Sequence, residues 1–214
     1  MKEFENIFLE KSIGEINQIP FKNLPEVSFA GKSNVGKSSL INSIVSKKIA
    51  YTSKNAGKTD LINFYRTKSF RIVDIPGYGF SLRSKDEKTR FNKLADDYFR
   101  LKRSDIVLQL IDSRHDLQEN DRQMINYLSE MKIKFYIILT KIDKLSSSQF
   151  KHFYLNLKSQ IDAISQHSSD IIGISTKTGM NINKIRNLII FGAKSNGQRQ
   201  PLALPERVSV QFFK

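Results

Sequence analysis

The chain has 214 residues, with 35 Lys and Arg against 21 Asp and Glu and no Cys. This length suits one sizeable domain, and a hydrophobic fraction of 39% is too high for a wholly disordered chain. Disulfide frameworks and Cys-ligated zinc sites are excluded because there is no cysteine. The formal net charge of +14 favours nucleic acid or another anionic surface as a partner.

The apolar segments of the chain are short. The longest runs, at 106–111 and 135–139, fall far below the roughly 20 residues that a membrane-spanning helix needs. The first residues include Glu3 and Glu5, where a secretory signal would carry bases. We therefore expect a cytoplasmic protein without a membrane partner.

Short apolar runs alternate with longer amphipathic segments. The runs are typical of strands buried on both faces of a sheet and lie at 27–30, 70–75, 106–111, 135–140 and 171–174. Helical spacing of apolar residues is found between them, at 39–45, 85–102, 118–131, 146–164 and 181–191. Ser146 and Asn181 are the expected N-caps of the last two helices. Two further strands are expected within 4–16 and 61–67.

This alternation predicts an α/β fold with a mostly parallel central sheet and helices on both faces. A ligand site is then expected at the C-terminal ends of the strands. We expect the domain to occupy residues 1–193 and residues 194–214 to form a C-terminal tail. Two inner segments, 46–60 and 77–84, lack periodicity, and such connections in a compact domain are usually functional or mobile.

The segment after the first buried strand matches a phosphate-binding pattern. Residues 31–38 read Gly-Lys-Ser-Asn-Val-Gly-Lys-Ser, and a helical segment follows. Glycines allow backbone N–H groups to curl around a diphosphate at the N-terminus of a helix. Lys37 would then reach the β- and γ-phosphates, and the Ser38 hydroxyl would bind Mg²⁺. The plain alternative is a chance match in a chain rich in Lys and Ser.

Motifs downstream select among the phosphate-loop enzymes. Asp74-Ile-Pro-Gly77 ends a strand and would place a carboxylate near the Mg²⁺ shell and a glycine N–H near a γ-phosphate. Thr140-Lys-Ile-Asp143 ends another strand, and its carboxylate can accept both N1–H and the N2 amino group of guanine, whereas adenine lacks this pair of donors. Ser175-Thr176-Lys177 offers backbone N–H groups to guanine O6. Each motif alone is also an ordinary strand exit, so the prediction of a GTPase depends on their order.

A hydroxyl that senses the γ-phosphate is expected between the phosphate loop and Asp74. Thr52, Thr59 and Thr67 are the candidates by position. We choose Thr59 because Gly57 before it gives the backbone freedom, whereas Thr67 is expected to end a strand.

Together these motifs resemble the EngB GTPases, also called YihA or YsxC, which are bacterial ribosome-assembly factors with a Ras-like P-loop GTPase domain. The resemblance covers roughly residues 4–191. It is carried by the phosphate loop, Gly57-Lys58-Thr59 with Asn63-Phe64-Tyr65, Asp74-Ile-Pro-Gly-Tyr-Gly79, Thr140-Lys-Ile-Asp-Lys144 and the Ser175 element. The chain departs from the family's usual residues at Ala56, where Pro is usual, and at Asp60, where Gln is usual.

The resemblance implies a GTP-binding, slowly hydrolysing switch that acts with the large ribosomal subunit and its rRNA and affects septation and cell division. It implies Mg²⁺ held by Ser38 and Thr59, with K⁺ as a further candidate ion. The catalytic residues it implies are Lys37, Thr59, Gly77 and Asn34. The residues it implies for binding GTP or GDP are Gly31, Lys32, Ser33, Asn34, Val35, Gly36, Lys37, Ser38, Ser39, Gly57, Lys58, Thr59, Asp60, Leu61, Asp74, Ile75, Pro76, Gly77, Thr140, Lys141, Ile142, Asp143, Ile174, Ser175 and Thr176.

Two residues bear on the mechanism. Tyr78 stands where signalling GTPases carry the Gln that orients the attacking water, so we expect low intrinsic turnover that a partner completes. Asn34 resembles the asparagine that helps related GTPases to hold K⁺ in place of an arginine finger.

The positive charge is concentrated in segment 47–103, which holds 15 Lys and Arg against 6 Asp and Glu. This predicts an RNA-facing surface that changes with the γ-phosphate, with a merely solvated basic face as the alternative. We expect a monomer that does not bind DNA. The alternative function is a GTP-regulated interaction protein of the division machinery. A small-molecule kinase is disfavoured because the motif at 140–143 would have no role in it.

Overall fold

A sheet of seven strands forms the centre of the described part of the chain. The computed structural model describes residues 2–50, 61–78, 85–165 and 168–194. The strands are β1 (Phe8–Ile13), β2 (Glu26–Gly31), β3 (Ile62–Arg66), β4 (Arg71–Asp74), β5 (Ser104–Asp112), β6 (Phe135–Thr140) and β7 (Ser168–Gly173). Their spatial order is β1-β3-β4-β2-β5-β6-β7. The strands from β4 to β7 in this order run parallel, whereas β3 is antiparallel to both β1 and β4.

Helices cover both faces of the sheet. The helices α1 (Lys37–Val45) and α5 (Ile182–Lys194) pack on one face. The other face carries α2 (Lys85–Arg100), α3 (Glu119–Glu130) and α4 (Ser147–Ile164). Because the central strands are buried on both sides, they are apolar without alternation. The predicted α/β fold class, with a mostly parallel central sheet and helices on both faces, is confirmed.

The ends of the elements differ from the predictions by a few residues. The strand expected within 4–16 is shorter, since β1 is flanked by 3₁₀ turns at Lys2–Phe4 and Ile16–Gln18. None of the helices in the described ranges has the length and apolar character needed to cross a bilayer. The segments predicted to lack periodicity were 46–60 and 77–84, and most of each, residues 51–60 and 79–84, lies outside the described residues. Residues 195–214 of the predicted tail 194–214 also lie outside them.

The two predicted N-caps behave differently. The Ser146 hydroxyl accepts a hydrogen bond from Gln149 N at 3.3 Å, and the Gln149 side chain accepts one from Ser146 N at 2.8 Å. This reciprocal arrangement is a capping box, which satisfies backbone groups at the start of α4. Asn181 precedes α5 in a left-handed conformation with φ +58°, and its side-chain amide donates to Gly173 O at 2.7 Å instead. Asn181 therefore ties α5 to β7.

A buried ionic cluster lies where β2 begins, at the end of the strand away from the phosphate loop. The Glu26 carboxylate is fully buried and accepts hydrogen bonds from Arg103 Nε at 3.1 Å, from Tyr98 Oη at 3.1 Å and from Arg71 Nη1 at 3.4 Å. Arg71 also donates to Glu10 from Nε at 2.6 Å and from Nη2 at 2.9 Å. The cluster joins β1, β2, β4, α2 and the residue that directly precedes β5.

The cluster corrects the charge argument made from the sequence. Arg71 and Arg103 belong to the basic segment 47–103, yet their exposed fractions are 1% and 8%. Arg66 of the same segment donates to Glu10 at 2.9 Å. The surface of this segment is therefore less basic than the count of its residues predicts.

We predict that Glu26→Ala lowers the free energy of unfolding by about 3–5 kcal/mol, because it strands the buried Arg103 without its carboxylate partner. Urea unfolding followed by circular dichroism measures this change. The control is Asp162→Ala, which removes the exposed ion pair of Asp162 with Lys158 and should change stability little. Equal effects of the two substitutions would contradict the role given to the cluster.

Candidate functional site

The phosphate-loop sequence forms the connection from β2 to α1. Gly36 has φ +110°, a left-handed conformation that favours glycine, and α1 begins at the next residue, Lys37. The buried side chain of Val35 joins the core beneath the loop. Backbone N–H groups at the start of a helix attract anions, and Ser38 and Ser39 lie in this first turn. The local structure is thus suited to bind a phosphate group.

An ion pair connects the phosphate loop to the end of β4. The Lys37 ammonium donates a hydrogen bond to Asp74 Oδ1, and the two side chains are 12% and 5% exposed. The structure therefore brings together two residues that the sequence predicted at the phosphates and the Mg²⁺ shell. The Lys37 ammonium can attract phosphate oxygens, and the Asp74 carboxylate offers the oxygen atoms that Mg²⁺ prefers as partners.

Backbone pairing continues past the end of β4 onto the phosphate loop. Ile75 N donates to Phe29 O at 3.0 Å, Tyr78 N to Gly31 O at 3.3 Å, and Ser33 N to Tyr78 O at 3.0 Å. The Ser33 hydroxyl also donates to Gly77 O at 3.1 Å. A Cβ atom on Gly77 would lie 2.8 Å from Ser33 Oγ and 2.9 Å from the backbone Cα and N atoms of Ser33. Only glycine allows this close approach at residue 77.

The end of β6 packs against the same loop. The Thr140 hydroxyl donates to Val35 O at 2.7 Å, and Lys141 Nζ donates to Asn34 O at 2.9 Å and to Asp112 Oδ2 at 2.7 Å. Burial disfavours the charged form of Asp112, but hydrogen bonds from Arg114 and Lys141 outweigh it and hold the pKa of Asp112 well below its usual value. The carboxylate therefore stays ionised and fixes the Lys141 side chain.

The predicted guanine-reading residues lie side by side. Ser175 Oγ donates to Asp143 Oδ1 at 2.6 Å, and this hydrogen bond lowers the pKa of Asp143. Ile142 N donates to Ile174 O at 3.3 Å, which joins the two loops through their backbones. Ser175 N donates to Met180 O at 3.2 Å, so this N–H is already engaged within the protein. Of the N–H groups expected to meet guanine O6, the one on Thr176 is left as the better candidate.

Some predicted residues lie outside the described ranges. These are Gly57, Lys58, Thr59 and Asp60, together with the rejected candidate Thr52. Leu61 begins the next described segment, and Thr67 turns the chain between β3 and β4 by accepting Phe70 N at 2.9 Å on its hydroxyl. Thr67 therefore lies directly after β3, which ends one residue before the strand end predicted at Thr67.

The sequence did not reveal the partners of Tyr78. The Tyr78 hydroxyl donates to Asp121 Oδ1 on α3 at 2.8 Å and accepts a hydrogen bond from Gln109 Nε2 on β5. A signal for one partner was available, because Gln109 interrupts the apolar run at 106–111 and is fully buried. No spacing rule links Asp121 to Tyr78, since the two are brought together only by packing.

Comparisons with known proteins agree with this geometry. Residues 26–141 match the family described as "50S ribosome-binding GTPase". A probable GTP-binding protein EngB from Kosmotoga olearia is 41% identical over 167 residues, which are 77% of this chain and 87% of that protein. One from Thermosipho africanus is 39% identical over 198 residues, covering 89% of this chain and 98% of that one.

Solved structures show the same fold. A crystal structure of a probable GTP-binding protein EngB superposes with a TM-score of 0.61 at 26% identity and covers 79% of this chain and 99% of its own. Era in complex with MgGDPNP and part of 16S ribosomal RNA superposes with a TM-score of 0.65 at 22% identity, over 86% of this chain and 60% of its own. The chain belongs to the EngB family of GTPases.

Proposed function

We propose that this GTPase is a switch that acts on the large ribosomal subunit and its rRNA during assembly. We assign the GTPase domain to residues 1–193 and a tail to 194–214. The observation that carries the guanine-nucleotide part of the proposal is that the proposed base-reading residues are held beside the phosphate loop. Thr140 and Lys141 donate hydrogen bonds to carbonyls of that loop, and Ser175 holds Asp143. The family description supports the large subunit as the partner. A cytoplasmic location is part of the same proposal, since that is where ribosomes are assembled.

In this proposal the nucleotide is held at both ends. Backbone N–H groups of the phosphate loop and the Lys37 ammonium bind the β- and γ-phosphates, and Asp143 accepts N1–H and the N2 amino group of guanine. Ser38 and Thr59 are the proposed ligands of Mg²⁺, and Asp74 accepts from its water shell. The oxygen donors at Ser38 and Asp74 fit this hard cation, which neutralises charge on the phosphates when it is bound.

Hydrolysis by the isolated protein is proposed to be slow. A side chain that orients the attacking water is needed for fast turnover, and the Tyr78 hydroxyl is instead held by Asp121 and Gln109 inside the protein. We therefore propose that a partner completes the site. Asn34 is exposed on the phosphate loop and is the proposed contact for K⁺, an assignment that equal hydrolysis rates in KCl and NaCl would remove.

Base specificity tests the assignment of Asp143. Asp143→Asn should weaken GDP binding at least about tenfold, since one of two carboxylate-accepted hydrogen bonds is lost. It should also strengthen binding of xanthosine diphosphate, whose C2 carbonyl accepts a hydrogen bond from the new amide. Calorimetric titration measures both affinities, with Asp162→Asn on the exposed face of α4 as the control. Unchanged preference for GDP in Asp143→Asn would exclude this residue as the reader of guanine.

Binding to the ribosome tests the switch. We expect the form loaded with a non-hydrolysable GTP analogue to co-sediment with large ribosomal subunits at moderate salt, and the GDP form to be released. A salt series separates this from non-specific attraction, because phosphate contacts weaken steeply as salt rises. If both forms bind equally and weakly, or neither binds, the result would contradict the ribosome switch and favour the alternative, a GTP-regulated interaction protein of the division machinery. The effect on septation stays a prediction from the family resemblance.

A further inference from the structure

Tyr78 joins three parts of the molecule. Its backbone N–H and carbonyl pair with Gly31 and Ser33 of the phosphate loop, which fixes the peptide on the C-terminal side of Gly77. Its hydroxyl reaches across the edge of the sheet to α3. The chain from β4 is therefore attached at Tyr78 to both the phosphate loop and a helix.

The groups that hold the Tyr78 hydroxyl are themselves rigid and buried. Gln109 lies on the central strand β5 and is fully buried, and Asp121 in the first turn of α3 is 4% exposed. The hydroxyl uses both of its capacities, because it donates to Asp121 and accepts from Gln109. A side chain with two such partners has little freedom to rotate.

The electrostatic surroundings keep Tyr78 as the donor and Asp121 as the acceptor of their hydrogen bond. Burial raises the pKa of Tyr78, and the nearby Asp121 carboxylate raises it further, so the phenol stays protonated and donates. Burial also raises the pKa of Asp121, against hydrogen bonds from Tyr78 and from the backbone. Lys32 of the phosphate loop lies close enough to favour the charged form of Asp121. Lys32 Nζ also donates a hydrogen bond to Gln118 Oε1 at 2.8 Å.

We propose that Tyr78 and Asp121 are positioning residues for GTP. Their hydrogen bond holds the Gly77–Tyr78 peptide against Ser33, while on the other side of Gly77 the backbone of Ile75 is anchored by its hydrogen bond to Phe29 O. The Pro76–Gly77 peptide, which carries the Gly77 N–H, is thereby held at both ends before the γ-phosphate arrives. This rests on the proposed function, in which Gly77 N–H contacts the γ-phosphate. A donor fixed in advance costs no ordering when the ligand binds or when charge develops during reaction. Because GDP lacks the γ-phosphate, the pair acts on GTP and leaves GDP binding unaffected.

The structure offers a matched control for the test. Tyr127 Oη on α3 donates to Asp96 Oδ1 on α2 at 2.7 Å, which is also a tyrosine–aspartate hydrogen bond between neighbouring elements. Neither residue contacts the phosphate loop or Gly77 among the described contacts. Tyr127→Phe therefore removes the same type of bond from the same helix without touching the proposed positioning device.

The experiment compares Tyr78→Phe, Asp121→Ala, Asp121→Asn and Tyr127→Phe with the unaltered protein. The readouts are the dissociation constants for GDP and for a non-hydrolysable GTP analogue, and the single-turnover hydrolysis rate at saturating GTP. Tyr78→Phe and Asp121→Ala should weaken analogue binding about tenfold, which corresponds to about 1.4 kcal/mol, and slow hydrolysis, with GDP binding unchanged. Asp121→Asn keeps an oxygen that can accept from the Tyr78 hydroxyl, so its analogue affinity and hydrolysis rate should fall much less than those of Asp121→Ala.

Several outcomes would overturn the positioning role. Analogue binding and hydrolysis in Tyr78→Phe that match Tyr127→Phe would show that the hydroxyl holds nothing needed for GTP. Equal losses for GDP and the analogue would mean that the cluster supports the whole phosphate loop and not Gly77. Failure of the unaltered protein to bind guanine nucleotides would remove the proposed function itself, a result distinct from any difference between variants.

Discussion

Parallel pairing of β2 with β4 is the constraint on which the site depends. The register runs from Glu26 opposite Arg71 to Phe29 opposite Asp74. At the start of the two strands this pairing places Arg71 beside the buried Glu26. At their other end it places Asp74 beside Lys37 and carries Gly77 onto Ser33. A slip of one residue would turn every side chain of β4 to the opposite face and would separate both pairs.

The half of the site that we propose reads the base depends on the neighbouring parallel strands. β6 and β7 end at the same edge of the sheet as β2. The loops that follow them are joined through Ile142 N and Ile174 O, and the β6 end contacts the phosphate loop. Thr140 and Lys141 donate hydrogen bonds to carbonyls of the phosphate loop. These bonds fix the distance between the phosphate loop and the residues that follow β6. One sheet edge thus sets the spacing between the proposed phosphate-binding loop and Asp143, the carboxylate that we propose accepts from guanine.

The sequence predicts most of this arrangement for physical reasons. Strands buried on both faces are recognisable as apolar runs, and motifs at their C-terminal ends must converge in a parallel sheet. Two features could not be predicted from the sequence. Counting bases in 47–103 overestimated a basic surface, because composition does not show that Arg71 and Arg103 are buried with Glu26. The Tyr78–Asp121 contact joins residues 43 positions apart, and only the packing of α3 on the sheet creates it.

The central claim is that the γ-phosphate is sensed where Gly77 and Tyr78 pair with Ser33. Hydrogen exchange of the Ser33, Gly77 and Tyr78 backbone N–H groups tests it most directly, with the protein bound first to GDP and then to a non-hydrolysable GTP analogue. We predict slower exchange with the analogue, because a contact with the γ-phosphate adds to the pairing that must open before exchange. Equal exchange rates in the two states would contradict this account of the switch.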